Sequence, residues 1–200
     1  MRHRMGKLPH VILVSELPPQ PGKVQFVLRA ELDPEQGADK QLPAQLPHLN
    51  FCLSLKRARG CFDPYPDPFP EFIGRSFIFT EAGRTFLDTI PRGKISERYG
   101  ASDADPRNNP PWVARYRAES FTAPIIGVVS RDKQHLIAIG SSTCDAVAQA
   151  WAPCIHNFSQ WVPRDAPPEQ QRWRWNVYVM PNDSDALRER VAEDFPGTFN

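Results

Sequence analysis

The chain of 200 residues is long enough to bury the core of one domain, and 40% hydrophobic with 24% charged residues is a globular composition. A formal net charge of +1 provides no long-range field that would attract nucleic acid or an anionic membrane surface. No apolar run approaches the roughly 20 residues that cross a bilayer, so neither a nucleic acid nor a membrane is an expected partner.

Twenty-two prolines divide the chain into short elements, because proline fits neither a helix interior nor a central strand. Between the prolines, apolar and polar residues alternate, which is typical of strands with one buried face. In chain order these segments are KVQFVLRAEL (23–32), NFCLSLK (50–56), SFIFTEAGRTFLDTI (76–90), PIIGVVSRDKQHLIAIGSS (124–142) and RWRWNVYVM (172–180).

Two of these segments contain a turn signal and are predicted to be β-hairpins. The first turns at residues 81–84, where a glycine is available for a left-handed position, and the second at residues 131–134. In the last segment, Trp173 and Trp175 are expected on one face, and Arg174 and Tyr178 on the other.

The stretch NDSDALRERVAEDFPG predicts a C-terminal helix. Asn182 or Asp183 can cap it, since a short polar side chain satisfies the free amides of the first turn. Leu187, Val191 and Phe195 recur every four residues as one apolar stripe, and a Pro-Gly pair follows.

Many short strands and one terminal helix predict an all-β fold, an antiparallel two-sheet β-sandwich with a C-terminal helix. We expect an N-terminal arm or linker at 1–22, the sandwich at 23–181, and a helix packed on it at 182–200.

The stretch CDAVAQAWAPCIH places Cys144, Cys154 and His156 close together in the sequence. Nine residues separate the two cysteines, whereas structural zinc sites usually take cysteines two to four residues apart. On a strand, Cys154 and His156 lie about 6.6 Å apart along the chain, too far for a nucleophile and its base. The stretch therefore predicts no metal ligand, cofactor site or catalytic residue.

The redox state of the four cysteines stays open. A disulfide between Cys144 and Cys154 would close a short loop, and Cys52 with Cys61 has a similar spacing. Reduced, packed cysteines are favoured, because free cysteine behaves as a small buried hydrophobe.

Tryptophans beside the CIH segment suggest a ligand. Sugar rings stack on indole faces, and loops at the rim of a sandwich carry such groups. The candidate ligand-binding residues are Trp151, His156, Trp161, Asp145 and Asn157. The same tryptophans would also suit plugs that close the ends of the sandwich.

The segments PIIGVVSRDKQHLIAIGSS, QAWAPCIHNF and VYVMPNDSDALRERVAEDFP resemble the closing region of large uncharacterised bacterial proteins with a β-supersandwich, galactose-mutarotase-like shape. The resemblance covers residues 120–196. It implies a sandwich fold and a carbohydrate context, and it carries over no catalytic residue.

The combined expectation is a non-catalytic carbohydrate-binding module. The alternatives are a carbohydrate-active enzyme or fragment in which His156 and Asp145 act as acid and base, and a structural domain whose strand edges meet a partner domain or chain.

Overall fold

The structure is a computed structural model of the chain. It describes residues 2–5, 8–17, 23–32, 35, 49–55, 62, 72, 74–90, 97–99, 113–117, 121–150, 154–159 and 172–197.

The described residues form a large sheet of eight strands, in which every neighbouring pair is antiparallel. In chain order its strands are β1 (Arg2–Met5), β2 (Leu8–Glu16), β3 (Val24–Leu32), β5 (Ser76–Thr80), β6 (Gly83–Phe86), β9 (Ile125–Val129), β10 (His135–Ser141) and β13 (Arg172–Pro181). Their spatial order is β1-β2-β3-β13-β10-β9-β5-β6.

A second sheet contains five of the described strands and is also antiparallel throughout. Its strands are β4 (Leu49–Ser54), β7 (Glu97–Tyr99), β8 (Val113–Arg117), β11 (Ala146–Ala150) and β12 (Cys154–Ser159), in the spatial order β4-β12-β11-β8-β7. The prediction of an all-β antiparallel sandwich is confirmed.

The core lies between the two sheets and consists of the inward halves of their alternating strands. Trp173 and Trp175 of β13 pack in one cluster with Ile139 of β10, and Val147 of β11 and Ile155 of β12 join them from the small sheet. Each such side chain contributes roughly 1.5–3 kcal/mol of burial free energy. Tyr178 packs in a different cluster, on the other face of β13. The predicted faces of the RWRWNVYVM segment are therefore confirmed.

The two predicted hairpins are present. Strands β5 and β6 turn immediately before Gly83, whose φ of 85° is a left-handed conformation that glycine adopts without steric cost. Strands β9 and β10 pair in register from Leu136 with Val129 to Gly140 with Ile125.

The C-terminal helix α1 (Ser184–Asp194) covers the outer face of the large sheet. Asp183 caps it by accepting hydrogen bonds from the amides of residues 185 and 186, as predicted. Leu187, Val191 and Phe195 are buried in a second apolar cluster together with residues of β5, β9, β10 and β13. A short 3-10 turn, Leu87–Thr89, follows β6.

The segment expected to be an N-terminal arm or linker contributes strands to the sheet. Arg2–Met5 pairs with β2, and β2 pairs with β3 over residues 11–16. The expectation for 1–22 is corrected to this extent, because residues 11–16 pair with β3 and extend the large sheet beyond it.

Within the described residues, no helix combines the length and apolar character that a bilayer crossing requires.

Candidate functional site

The outward face of the small sheet brings two cysteines and one histidine together on neighbouring strands. On β12, Ile155 and Asn157 face the core, while Cys154 and His156 occupy the alternate positions. Strand β4 alternates in the same way between half-buried and exposed residues, and Cys52 is on its exposed side. The strand register places Cys52 directly opposite His156.

These three side chains converge on one point. The Sγ atom of Cys154 lies 3.0 Å from Nε2 of His156, and the Sγ atom of Cys52 lies 3.8 Å from the same nitrogen. All three potential ligand atoms lie within 4.8 Å of one another. We call Cys52, Cys154 and His156 the Cys2His cluster.

Asn50 orients the imidazole of the cluster from the other side. Its Oδ1 lies 3.1 Å from Nδ1 of His156, and an amide oxygen can only accept a hydrogen bond. Nδ1 of His156 therefore donates to Asn50, and Nε2 is the ring nitrogen that faces the two sulfurs. The ring of Phe158 stacks on the imidazole at a centroid distance of 6.1 Å.

The pKa values of Cys52 and Cys154 are shifted in opposite directions. The hydrogen bond from Cys154, followed by that from His156, lowers the pKa of Cys52 well below its usual 9.0 against the opposing effect of burial. The pKa of Cys154 is raised, first by its hydrogen bond to Cys52, then by burial and by the charge on Cys52. The contact between the two sulfurs therefore favours the thiolate on Cys52 and the proton on Cys154.

The expectation that Cys154 and His156 stay apart is wrong. Their backbone positions are two residues apart on a strand as predicted, but strand side chains lean along the strand direction and these two lean toward each other. Cys52 and Asn50 were not among the predicted site residues. Their exposure on an alternating strand was visible in the sequence, but their pairing with β12 was not.

Asn157 does not share a surface with His156, which corrects the predicted ligand-binding set. Its side chain is fully buried, donating to the carbonyl of Pro124 at 3.3 Å and accepting from Nε1 of Trp175 at 3.3 Å. Adjacent residues on a strand point to opposite faces, so Asn157 belongs to the core.

The other predicted carbohydrate-binding residues are only partly described. Asp145 directly precedes β11, and its amide donates to the carbonyl of Phe158 at 3.0 Å. Trp151 and Trp161 lie outside the described residues. Carbohydrate binding therefore stays a prediction.

Cys144 stands apart from the Cys2His cluster. Its thiol is enclosed and donates to the carbonyl of Ala146 at 3.3 Å, and burial raises its pKa to about 12. Cys52, Cys144 and Cys154 are all free thiols, and Cys61 lies outside the described residues. Cys144 is a packing residue, so among the described cysteines Cys52 and Cys154 form the candidate site.

Comparison with known proteins provides no family. No protein-family model and no curated protein matches the chain. A solved structure that it resembles is the Slr1438 protein from Synechocystis sp. PCC 6803, with 11% sequence identity and a TM-score of 0.38. The match covers 90% of this chain and spans 60% of the length of the Slr1438 chain.

Proposed function

We propose that this β-sandwich domain binds a divalent transition-metal ion, with zinc as the preferred ion, through Cys52 Sγ, Cys154 Sγ and His156 Nε2. The observation that supports this proposal is the convergence of three ligand atoms within 4.8 Å. Two sulfurs and one imidazole nitrogen are donors that zinc takes in proteins.

The spacing of the ligand atoms suits a tetrahedral ion. Zinc–sulfur bonds of about 2.3 Å and zinc–nitrogen bonds of about 2.0 Å at tetrahedral angles place sulfur and nitrogen about 3.5 Å apart. The two observed sulfur–nitrogen distances, 3.0 Å and 3.8 Å, lie on either side of that value. We expect small rotations of the cysteine side chains to admit the ion.

The nature of the donors favours zinc over the common hard cations. Thiolates are soft ligands that select zinc and similar ions, whereas magnesium and calcium prefer oxygen. Among the described residues, the cluster comprises three metal-ligating groups. Three protein ligands with a fourth position for water or substrate are the arrangement of catalytic zinc sites.

Asn50 contacts the ring nitrogen of His156 that would not bind the metal, and so orients the imidazole in the proposed site. Metal-binding histidines almost always donate their other ring N–H to an acceptor, which fixes the tautomer and ring orientation. The Asn50 Oδ1 contact with Nδ1 of His156 meets this requirement. The Nε2 atom is thereby directed at the position between the sulfurs.

The test is a zinc titration of the reduced, metal-free protein by calorimetry, with magnesium as the control ion. We expect one zinc per chain and no response to magnesium. Cys52→Ala and His156→Ala should each abolish stoichiometric binding, and Cys52 is exposed, so its truncation leaves the fold intact. Cys144→Ala is the matched control, because it removes a thiol outside the cluster. Absence of binding, or full binding by Cys52→Ala, would contradict the proposal.

A further inference from the structure

We infer that hydroperoxides reversibly discharge the metal site by oxidising Cys52 and Cys154 to a disulfide. The inference rests on the proposed zinc site and adds a form of regulation to it. It follows from the unequal exposure of the two sulfurs and from their relative positions in the strand register.

The two sulfurs differ in their access to solvent. Cys52 is exposed on β4, the terminal strand of the described small sheet, whereas Cys154 is 7% exposed on the next strand inward. A small oxidant therefore meets Cys52 first. Cys154 is held behind it, with its Sγ within 4.8 Å of the Cys52 Sγ.

The chemistry requires two steps and one equivalent of hydroperoxide. The sulfur of Cys52 attacks the outer peroxide oxygen, the O–O bond breaks, and the alcohol, or water from hydrogen peroxide, leaves. The product is a sulfenic acid on Cys52. The sulfur of Cys154 then attacks the sulfur of Cys52, the S–O bond breaks, and water leaves. Two thiols lose two electrons in total, and the hydroperoxide gains them.

Metal binding and the disulfide exclude each other, because zinc binds the thiolate form of the two cysteines and oxidation to the disulfide removes both thiolates. Oxidation leaves His156 as the remaining ligand of the cluster, and one imidazole cannot hold the ion at the affinity of three ligands. The ion is therefore released when the disulfide forms.

The register indicates that the disulfide is easily reduced. Cys154 lies opposite Ser54 and Cys52 lies opposite His156, so the cysteines are diagonal neighbours. Diagonal positions across antiparallel strands are about 7–8 Å apart, whereas a relaxed disulfide brings its Cα atoms to about 5.5–6 Å. A bond formed there draws the strands together, and strained, exposed disulfides are the labile ones.

The experiment adds one equivalent of hydrogen peroxide to the zinc-loaded full chain. Released zinc is measured with a chromogenic chelator, and disulfides are mapped by mass spectrometry of peptides under non-reducing conditions. We expect one zinc released per chain, a Cys52–Cys154 linked peptide, and renewed zinc binding after dithiothreitol is added and removed. Cys144→Ala should behave like the wild-type protein.

The outcomes distinguish a failure of the proposed function from a failure of the inference. A chain that takes up no zinc overturns the proposed function. Zinc uptake followed by retention under peroxide, with Cys52 and Cys154 still reduced, overturns the inference alone. Zinc loss with a disulfide that involves Cys144 or Cys61 also overturns it.

Discussion

Cys52 and His156 are directly opposite each other across β4 and β12, although 104 positions separate them in the sequence. The pairing places a thiol and an imidazole on one exposed face of a hydrogen-bonded sheet. Because both backbones are held by the same ladder, the side chains need little reorganisation to share a ligand. The candidate site is therefore a property of strand register, and its supporting residues can be tested one at a time.

Replacing Asn50 should weaken zinc binding without removing a ligand. In Asn50→Ala, the Nδ1 proton of His156 loses its acceptor, and we expect about a 10- to 100-fold loss of zinc affinity, as for other outer-shell partners. Asn50→Asp, which keeps an accepting oxygen, should retain the affinity. A competition titration against a chelator of known affinity measures both variants. Equal affinity of Asn50→Ala and the wild-type protein would exclude the orienting role.

The reduced, metal-free protein should be alkylated selectively at Cys52 in mildly acidic solution. The pKa of Cys52 is lowered, so its reactive thiolate persists as the pH falls from 8 to 6, and its rate with iodoacetamide should change little. Cys144, whose pKa is raised to about 12 by burial, should stay unlabelled. Peptide mass spectrometry follows both sites.

The unfolded protein in urea is the control for this experiment. Its thiols have pKa values near 8.5, so their alkylation rate should fall about tenfold for each pH unit below that value. The same steep fall at Cys52 in the folded protein would show that its contacts with Cys154 and His156 do not stabilise the thiolate.

The fold could be predicted because its signals are local. Alternation in the segment around Trp173 and Trp175, the glycine turn at Gly83 and the apolar stripe of α1 each depend on neighbours within a few residues. Sandwich formation follows, because strands with alternating apolar residues each have an apolar face that must be buried.

The site could not be predicted in the same way, because its contacts are not local. Nothing near Cys52 in the sequence indicates that β4 pairs with β12, or that the register brings Asn50 within reach of His156. A shift of one residue would turn Cys52 to the core face. The contact between Cys154 and His156 depends instead on side-chain rotamers, which strand periodicity does not specify.

Gly127→Ala should destabilise the domain more than Gly140→Ala. A Cβ atom at Gly127 would lie 2.4 Å from Cζ of Phe77, and that ring is fully buried and cannot move aside. We expect a loss of about 1–3 kcal/mol in the free energy of unfolding, as for other overpacked cores. At Gly140 the nearest atom, a methyl carbon of Val191, is 3.0 Å away, and a small shift of α1 relieves the contact. Urea unfolding followed by tryptophan fluorescence gives both values, and equal stability of Gly127→Ala and the wild-type protein would contradict the observed packing.

Tyr178→Phe should loosen the attachment of α1 to the large sheet. The Tyr178 hydroxyl donates to Oδ2 of Asp194 at 2.8 Å, and Asp194 also accepts from Asn176 at 2.9 Å and forms an ion pair with Lys23. Removing a buried hydrogen bond to a charged group costs about 1.5–3 kcal/mol of unfolding free energy. Val179→Ala, at an exposed neighbouring position on the opposite face, should change stability by less than about 0.5 kcal/mol. The same urea midpoint for Tyr178→Phe and Val179→Ala would contradict this role of the Tyr178 hydroxyl. The other contacts of Asp194 and the apolar stripe of α1 would then hold the helix on the sheet.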